Sequence, residues 1–248
     1  MLKGKNAIIT GCNRGIGKAM VARFAENGAN IWACARTETD EFEAYCREIA
    51  DKNNVWVTPV YFDLREENAI KGAFLEINKM HEDVDILVNN AGVSAVNRVF
   101  QMSTMQDISD VINTNVIGTM SVTQKAVKMM LRRKKGSVVN ISSIVALYGE
   151  PSQVAYAASK GAISSATKKL ASEYGELGIR VNAIAPGLIK TDMMSYITPE
   201  YLERIRGEIM LGRFGEPEEI ANVAAFLGSD LSSYINGQII EVSGGIKV

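Results

Sequence analysis

The chain has 248 residues, 47% hydrophobic and 22% charged, with 27 Lys and Arg against 28 Asp and Glu and a formal net charge of −1. That balance leaves no basic surplus for a nucleic-acid backbone, and the proportions suit a globular protein with a substantial core. No apolar run approaches the ~18 residues of a membrane span, and the single histidine, His81, excludes any mechanism or metal site that needs two.

The opening MLKGKNAIITG enters a strand-like run at once, without the apolar stretch and cleavage site of a secretion signal. Cys12, Cys34 and Cys46 have no metal-type spacing, and their odd number argues against a disulfide framework. A soluble protein of a reducing, cytoplasmic compartment, with no metal, is the expectation. His81 reads as a solvated surface residue.

In chain order, NAIIT (6–10) predicts a buried strand, followed by glycines and a helix over 16–27 with Ile16, Met20 and Phe24 on one stripe. Gly28 stops that helix ahead of a second strand at 30–35. A charged helix over 38–51 leads to a strand at 55–62, and a helix over 66–80 to a strand at 85–88. Helices follow over 104–113 and 116–133, and Gly136 opens a strand at 137–141. A helix carrying Tyr156 runs to about 176, and Gly178 ends it before a strand at 180–184. Helices over 199–210 and 217–228 precede a last strand at 238–242. Continuous apolar strands alternating with helices predict a parallel sheet covered on both faces. No linker, charge block or repeat divides the chain. The expected fold is α/β, a single-domain Rossmann-type doubly wound sheet of about seven strands spanning 1–248, with ligands at the strand carboxyl ends.

Two stretches carry chemistry. Thr10-Gly11-Cys12-Asn13-Arg14-Gly15-Ile16-Gly17 lies between the first strand and first helix, where Gly11, Gly15 and Gly17 let backbone approach a pyrophosphate at a helix N-terminus. Ser143 precedes Tyr156 by thirteen positions, and Lys160 follows it by four, one helical turn on. A cation beside a phenol favours phenolate, predicting a tyrosine pKa pulled down from about 10. Such a tyrosine exchanges a proton with a carbonyl or alcohol oxygen that a serine hydroxyl holds.

TGCNRGIG (10–17), Asp63 after the third strand, NNAG (89–92), Asn115 in NTNVIGT, Ser143, Tyr156-x-x-x-Lys160, then Pro186-Gly187 and Thr191 occur in that order. With this ordered set the sequence resembles the short-chain dehydrogenases/reductases over essentially its whole length. The resemblance implies Tyr156 as proton donor and acceptor, and Ser143 as the holder of the substrate oxygen. It implies Lys160 as the group that lowers the tyrosine pKa and binds the nicotinamide ribose, and Asn115, in a kinked helix, as the holder of a relay water. Ser142 is then structural. For the cofactor it implies the loop residues Gly11, Asn13, Arg14, Gly15, Ile16 and Gly17, with Asp63 at the adenine amino group and Leu64 beside it. Asn89, Asn90, Ala91 and Gly92 fall on the adenine-ribose side, and Pro186, Gly187, Ile189 and Thr191 near the nicotinamide. An acidic residue at the end of the second strand holds a 2′-hydroxyl, whereas arginine suits a 2′-phosphate. Arg36 stands there with no Asp or Glu before Glu38, and Arg14 adds a second cation, so NADP(H) is expected before NAD(H).

Residues 188–214, with Met193, Met194, Tyr196, Ile197 and Met210, are expected to form a substrate lid. Within the family, GRFGEPEEIANVAAFLGSD (212–230) and the VSGG end are most similar to the 3-oxoacyl-acyl-carrier-protein reductases. This implies NADPH-dependent reduction in fatty-acid synthesis, an acyl-carrier-protein partner and a homotetramer. Arg132-Arg133-Lys134-Lys135 is a candidate docking patch, although cations also suit a helix end. Where such reductases often carry a second basic residue, Glu176-Leu177-Gly178 stands, with Arg180 nearby. Action on a sugar, polyol, steroid or other secondary alcohol stays open, as does a catalytically silent dinucleotide-binding sensor.

Overall fold

The protein is described by a computed structural model covering residues 1–80, 82–94, 99–149, 151–191 and 198–246. Seven parallel strands form one sheet. They are β1 (Asn6–Thr10), β2 (Asn30–Ala35), β3 (Val57–Tyr61), β4 (Ile86–Asn89), β5 (Gly136–Ile141), β6 (Ile179–Pro186) and β7 (Ile239–Val242), in the order β3-β2-β1-β4-β5-β6-β7. The order reverses between β1 and β4, which opens a crevice at their carboxyl ends.

The helices are α1 (Gly15–Glu26), α2 (Asp40–Asn53), α3 (Glu67–Lys79), α4 (Met105–Ile112), α5 (Thr119–Met130), α6 (Val154–Tyr174), α7 (Pro199–Glu208) and α8 (Pro217–Gly228). Because strand side chains alternate, the sheet has a core on each face. Ile9, Ile31, Ala33 and Val88 join α1, α2 and α8 on one side. Ile8, Trp32, Leu87 and Val138 join residues of α3, α5 and α6 on the other. Trp32 stacks edge-on against Trp56, 4.8 Å between centroids.

Helix starts follow local chemistry. Thr39 caps α2 through Phe42 N–H, Thr104 and Asp107 form a capping box on α4, and Glu216 and Glu219 do so on α8 with Pro217 at its first position. At α1, Arg14 makes no side-chain cap bond and the first turn holds no acidic residue, so the positive end of this helix stays open toward the crevice.

Two elements differ from the sequence expectation. The helix expected from 116 begins as a six-residue π-helical segment, Asn113–Gly118, before α5, which supplies the kink expected at Asn115. β6 runs on to Pro186, which pairs with Val242 as the strand's last residue, where a missing N–H costs no ladder bond. Among the described residues, no helix is long and apolar enough to cross a membrane.

Candidate active site

A cleft of about 400 Å³ lies at the carboxyl ends of β1, β2 and β4. It is lined by Gly11, Asn13, Arg14, Gly15, Ile16, Gly17, Arg36, Asp63, Leu64, Asn90, Ala91, Gly92, Tyr156, Lys160 and Thr191, so most residues singled out in the sequence converge on one space. The glycine loop is held from β4. Thr10 Oγ1 accepts from Asn90 N (3.0 Å) and Ala91 N (3.0 Å), and Asn90 Nδ2 donates to the carbonyls of Thr10 (2.9 Å) and Gly11 (3.2 Å). Gly11 has φ +74°, and a Cβ on Gly17 would lie 1.9 Å from the Gly11 carbonyl oxygen. Positions 11 and 17 thus tolerate no side chain. The loop's open helix end and close backbone approach fit a pyrophosphate, and so a dinucleotide.

At the adenosine end, neither Arg14 nor Arg36 has an ion-pair partner among the described residues. Arg65, Asp110 and Thr114 also line the cleft, and nothing in their local sequence marks them for it. Asp63 accepts from Arg65 at 2.6 Å, which with the nearby Arg36 holds its carboxyl below the usual range.

Asn89 does not face the cleft. It is buried and donates from Nδ2 to Thr123 Oγ1 (2.8 Å) and Asn140 Oδ1 (2.8 Å), while Asn140 donates to Thr167 Oγ1 (2.9 Å). This ladder ties α5, β4, β5 and α6 together. Alternation along a strand sends Asn89 and Asn90 to opposite sides, and only the second reaches the glycine loop. The Ile189 side chain is buried, its backbone bridges to Gly215, and it lines a second cavity of about 490 Å³. Pro186 and Gly187 adjoin β7, with Gly187 N donating to Val242 O (3.0 Å), and do not line the cleft. Met193, Met194, Tyr196, Ile197 and His81 lie outside the described residues.

At the inner end, Ser143 caps a short turn and stands by the Tyr156 phenol, whose pKa it lowers. Ser142 bonds instead to the Lys160 carbonyl (3.1 Å) and Ser164 (2.7 Å), pinning β5 to α6. Lys160 is 6% exposed; its Nζ donates to Ile141 O (2.7 Å) and stands 5.6 Å from the Tyr156 ring centroid. Asn115 is braced at both ends of its amide. Oδ1 accepts from Val93 N (2.8 Å), and Nδ2 donates to Val93 O (2.8 Å) and Ser159 Oγ (3.0 Å), while Ser159 donates to Tyr156 O (2.7 Å). The loop after β4 is thereby locked to the turn of α6 that carries Tyr156.

The electrostatics correct one expectation. The Tyr156 pKa is raised, because burial outweighs the lowering from Ser143. Burial also lowers Lys160 from 10.5 to about 8. Desolvation opposes charge on both groups. A lysine with a depressed pKa carries its full destabilising charge below its folded pKa of about 8 and loses it above, and stability rises with pH until the unfolded value of 10.5 is reached. Lys160 should therefore cost about 3 kcal/mol of stability near neutrality, relieved between pH 8 and 10.5. Chemical denaturation of wild type and Lys160→Met from pH 7 to 10.5 checks this: the wild type should gain by that amount relative to the variant. A difference independent of pH would refute it. Subtracting the two curves removes the contribution of the buried thiols, whose raised pKa values act in the opposite direction.

The cations picked out for docking lie elsewhere. Arg132, Arg133, Lys134 and Lys135 follow α5 and precede β5, at the amino end of the strand whose carboxyl end leads to Ser143. Arg132 bonds Asn78 (2.9 Å), Arg133 pairs with Asp83 (2.8 Å), and Lys135 stands 3.9 Å from Asp230. Arg180 donates to the carbonyls of Leu227, Ser229 and Ile235, a packing role.

Comparison with known proteins agrees with this geometry. A family model described as Enoyl-(Acyl carrier protein) reductase matches residues 11–247. The 3-oxoacyl-acyl-carrier-protein reductase FabG of Aquifex aeolicus is 40% identical over 245 residues, 99% of this chain and 98% of its own length. A 3-oxoacyl-acyl-carrier-protein reductase from Brucella melitensis, solved with bound NAD, superposes with a TM-score of 0.90 at 31% identity, covering 99% of this chain and 92% of that one. A gluconate 5-dehydrogenase from Burkholderia cenocepacia, solved with NADP and tartrate, gives 0.93 at 30% identity, covering 98% and 95%.

Proposed function

This chain belongs to the short-chain dehydrogenase/reductase family, and from that premise we propose that it reduces a 3-oxoacyl thioester, carried on acyl carrier protein, to the 3-hydroxyacyl form with NADPH. The observation that carries the reading is the single cleft that joins a phosphate-binding loop and Arg14 and Arg36 at one end to Tyr156 and Lys160, with Ser143 against the phenol, at the other.

When bound, the nicotinamide supplies the hydride that reaches the carbonyl carbon. Ser143 holds the carbonyl oxygen, and Tyr156 gives that oxygen a proton. A raised pKa keeps the phenol protonated at neutral pH, which suits the direction of reduction. Lys160 stabilises the charge left on the phenol. Asn115 and Ser159 hold the turn of α6 on which Tyr156 sits. Gly11, Asn13, Gly15, Ile16 and Gly17 would take the pyrophosphate, Asn90, Ala91 and Gly92 the adenosine side, and Thr191 the nicotinamide side. The open cations Arg14 and Arg36 support NADP(H) over NAD(H), since no carboxylate stands at the end of β2 before Glu38.

Residues 188–214 serve as the lid in this reading. Their described part includes exposed Met210 and Leu211, which line the second cavity with Tyr148 and Glu241. On α6, Gly161 faces open space beside Ala157, Ala162 and Ser165, while Ile117 and Met120 are exposed nearby in sequence on the α5 side. Those surfaces support a homotetramer. Three free buried thiols support a reducing, cytoplasmic setting.

The test is nucleotide oxidation at 340 nm with acetoacetyl thioesters on coenzyme A and on acyl carrier protein. A 2-enoyl thioester, a ketosteroid and a keto sugar acid serve as alternatives. Turnover of the acetoacetyl thioesters above the others, with NADPH preferred to NADH, is expected. Inactivity on every acyl thioester would sink this reading in favour of another secondary-alcohol substrate.

A further inference from the structure

Three side chains that no step of the proposed reduction uses connect the turn after Ser143 to the end of the chain. The turn itself is folded locally: Ala146 N donates to Ser143 O (3.1 Å), and Leu147 N (2.8 Å) and Tyr148 N (3.0 Å) donate to Ile144 O. The segment enters α6 through Ser152 and Gln153, at φ +75° and +57°. Two successive residues with side chains in the left-handed region are held there by their surroundings and not by their own preference.

Tyr148 carries the turn outward. Its phenol donates to Glu241 Oε2 (2.9 Å) on β7. Since β6 lies between β5 and β7, this bond spans the carboxyl end of β6, where Pro186 pairs with Val242 and Gly187 starts the loop toward Thr191. The other Glu241 oxygen accepts from Ser243 Oγ, which in turn accepts from Gly245 N (3.2 Å). Ser243 also packs against Gly187, where an added Cβ would lie 2.8 Å from Ser243 Cα. A continuous path thus runs from the turn of Ser143, through Tyr148, Glu241 and Ser243, to the backbone of the loop after β6. The carboxylate raises the Tyr148 pKa, which keeps the phenol a donor.

We propose that Tyr148 and Glu241 are positioning residues, a strut that fixes the Ser143 turn against the loop after β6 and so sets where the substrate oxygen sits relative to the hydride donor. This inference rests on the reading of the cleft as a carbonyl-reducing site. Neither side chain lines that cleft; both line the second cavity. Their influence on the reaction therefore passes through the two loops, as alignment, where small displacements cost rate. The bond is exposed to water, so its share of global stability is small.

Steady-state kinetics on the ketone that the wild type reduces best compares Tyr148→Phe, Glu241→Leu, Glu241→Gln and the double variant Tyr148→Phe/Glu241→Leu. In Tyr148→Phe and in Glu241→Leu, kcat should fall about tenfold while KM and NADPH affinity stay within about twofold. The double variant should be no slower than either single one, because both remove the same contact. Glu241→Gln keeps an acceptor for the phenol and should stay within about twofold of the wild-type kcat. A kcat within twofold of wild type in Tyr148→Phe, or losses that multiply in the double variant, would overturn the strut. So would a rise in KM alone, which marks a substrate contact. Should Glu241→Leu fail to fold, Tyr148→Phe and Glu241→Gln decide between them. A wild type that binds NADPH and reduces no ketone would overturn the reductase reading itself, a result distinct from a failed strut.

Discussion

Replacing Tyr156 by phenylalanine should lower carbonyl reduction by about three orders of magnitude while nucleotide binding stays within about twofold of wild type. The substitution removes one oxygen and leaves the ring in its place between Ser143 and Lys160, whose Nζ lies 5.6 Å from the ring centroid. The lysine keeps its bond to Ile141 O, and the glycine loop is untouched. What disappears is the only proton positioned for the substrate oxygen in the proposed mechanism. Single-turnover kinetics beside a nucleotide titration checks both halves, and a variant retaining a tenth of wild-type turnover would remove Tyr156 from its role. The wild-type pH profile gives a companion reading. Burial holds the phenol above its ordinary value, so the first group to titrate as pH rises is Lys160, at about 8. Above that pH the cation that stabilises phenolate is lost, and kcat/KM for reduction should decline.

Gly17→Ala is expected to weaken dinucleotide binding severely and to destabilise the fold. The added carbon would sit 1.9 Å from the Gly11 carbonyl oxygen and 2.6 Å from Asn90 Nδ2. Both neighbours are fixed: the Gly11 carbonyl accepts from Asn90 Nδ2, and Asn90 N donates to Thr10 Oγ1. Relief therefore has to come from moving the loop away from β4, at a cost of about 3 kcal/mol in stability, the upper range for overpacking. Displacement of the free N–H groups at the start of α1 should weaken NADPH by about two orders of magnitude, since these donors define the anion site. Gly72→Ala in α3 is the control. A Cβ there meets nothing within 4 Å, and alanine should be neutral or stabilising by up to about 1 kcal/mol. Equal effects from the two substitutions, read by thermal unfolding and titration, would show that the glycine loop is not the constrained element described here.

The ordering of apolar runs and helical stripes was enough to read a seven-stranded, doubly wound sheet, because the central strands are buried on both faces and so lack polar alternation. Local pattern was also enough for the glycine loop, whose residues are adjacent in sequence, and for Tyr156 and Lys160, one turn apart on α6. Boundaries were less legible. Nothing in NTNVIG distinguishes a π-helical segment from an ordinary first turn, since that distinction depends on how Asn115 is braced by Val93 and Ser159, 22 and 44 residues away.

What the sequence determined by itself, then, is the fold class and the order in which phosphate loop, Asn115, Ser143, Tyr156 and Lys160 are delivered to the carboxyl-end side of a sheet. The tertiary structure alone decided the state of those groups. Tyr156 is raised and Lys160 lowered because both are buried, and desolvation depends on neighbours that spacing cannot show. The same applies to Asn89, which clamps the sheet instead of meeting a ligand, and to Ile189, drawn into a second cavity by its bridge to Gly215. Asp63 and Arg65 stand two residues apart in plain view. That they pair is a matter of hydrogen-bond distances, which only the folded chain sets.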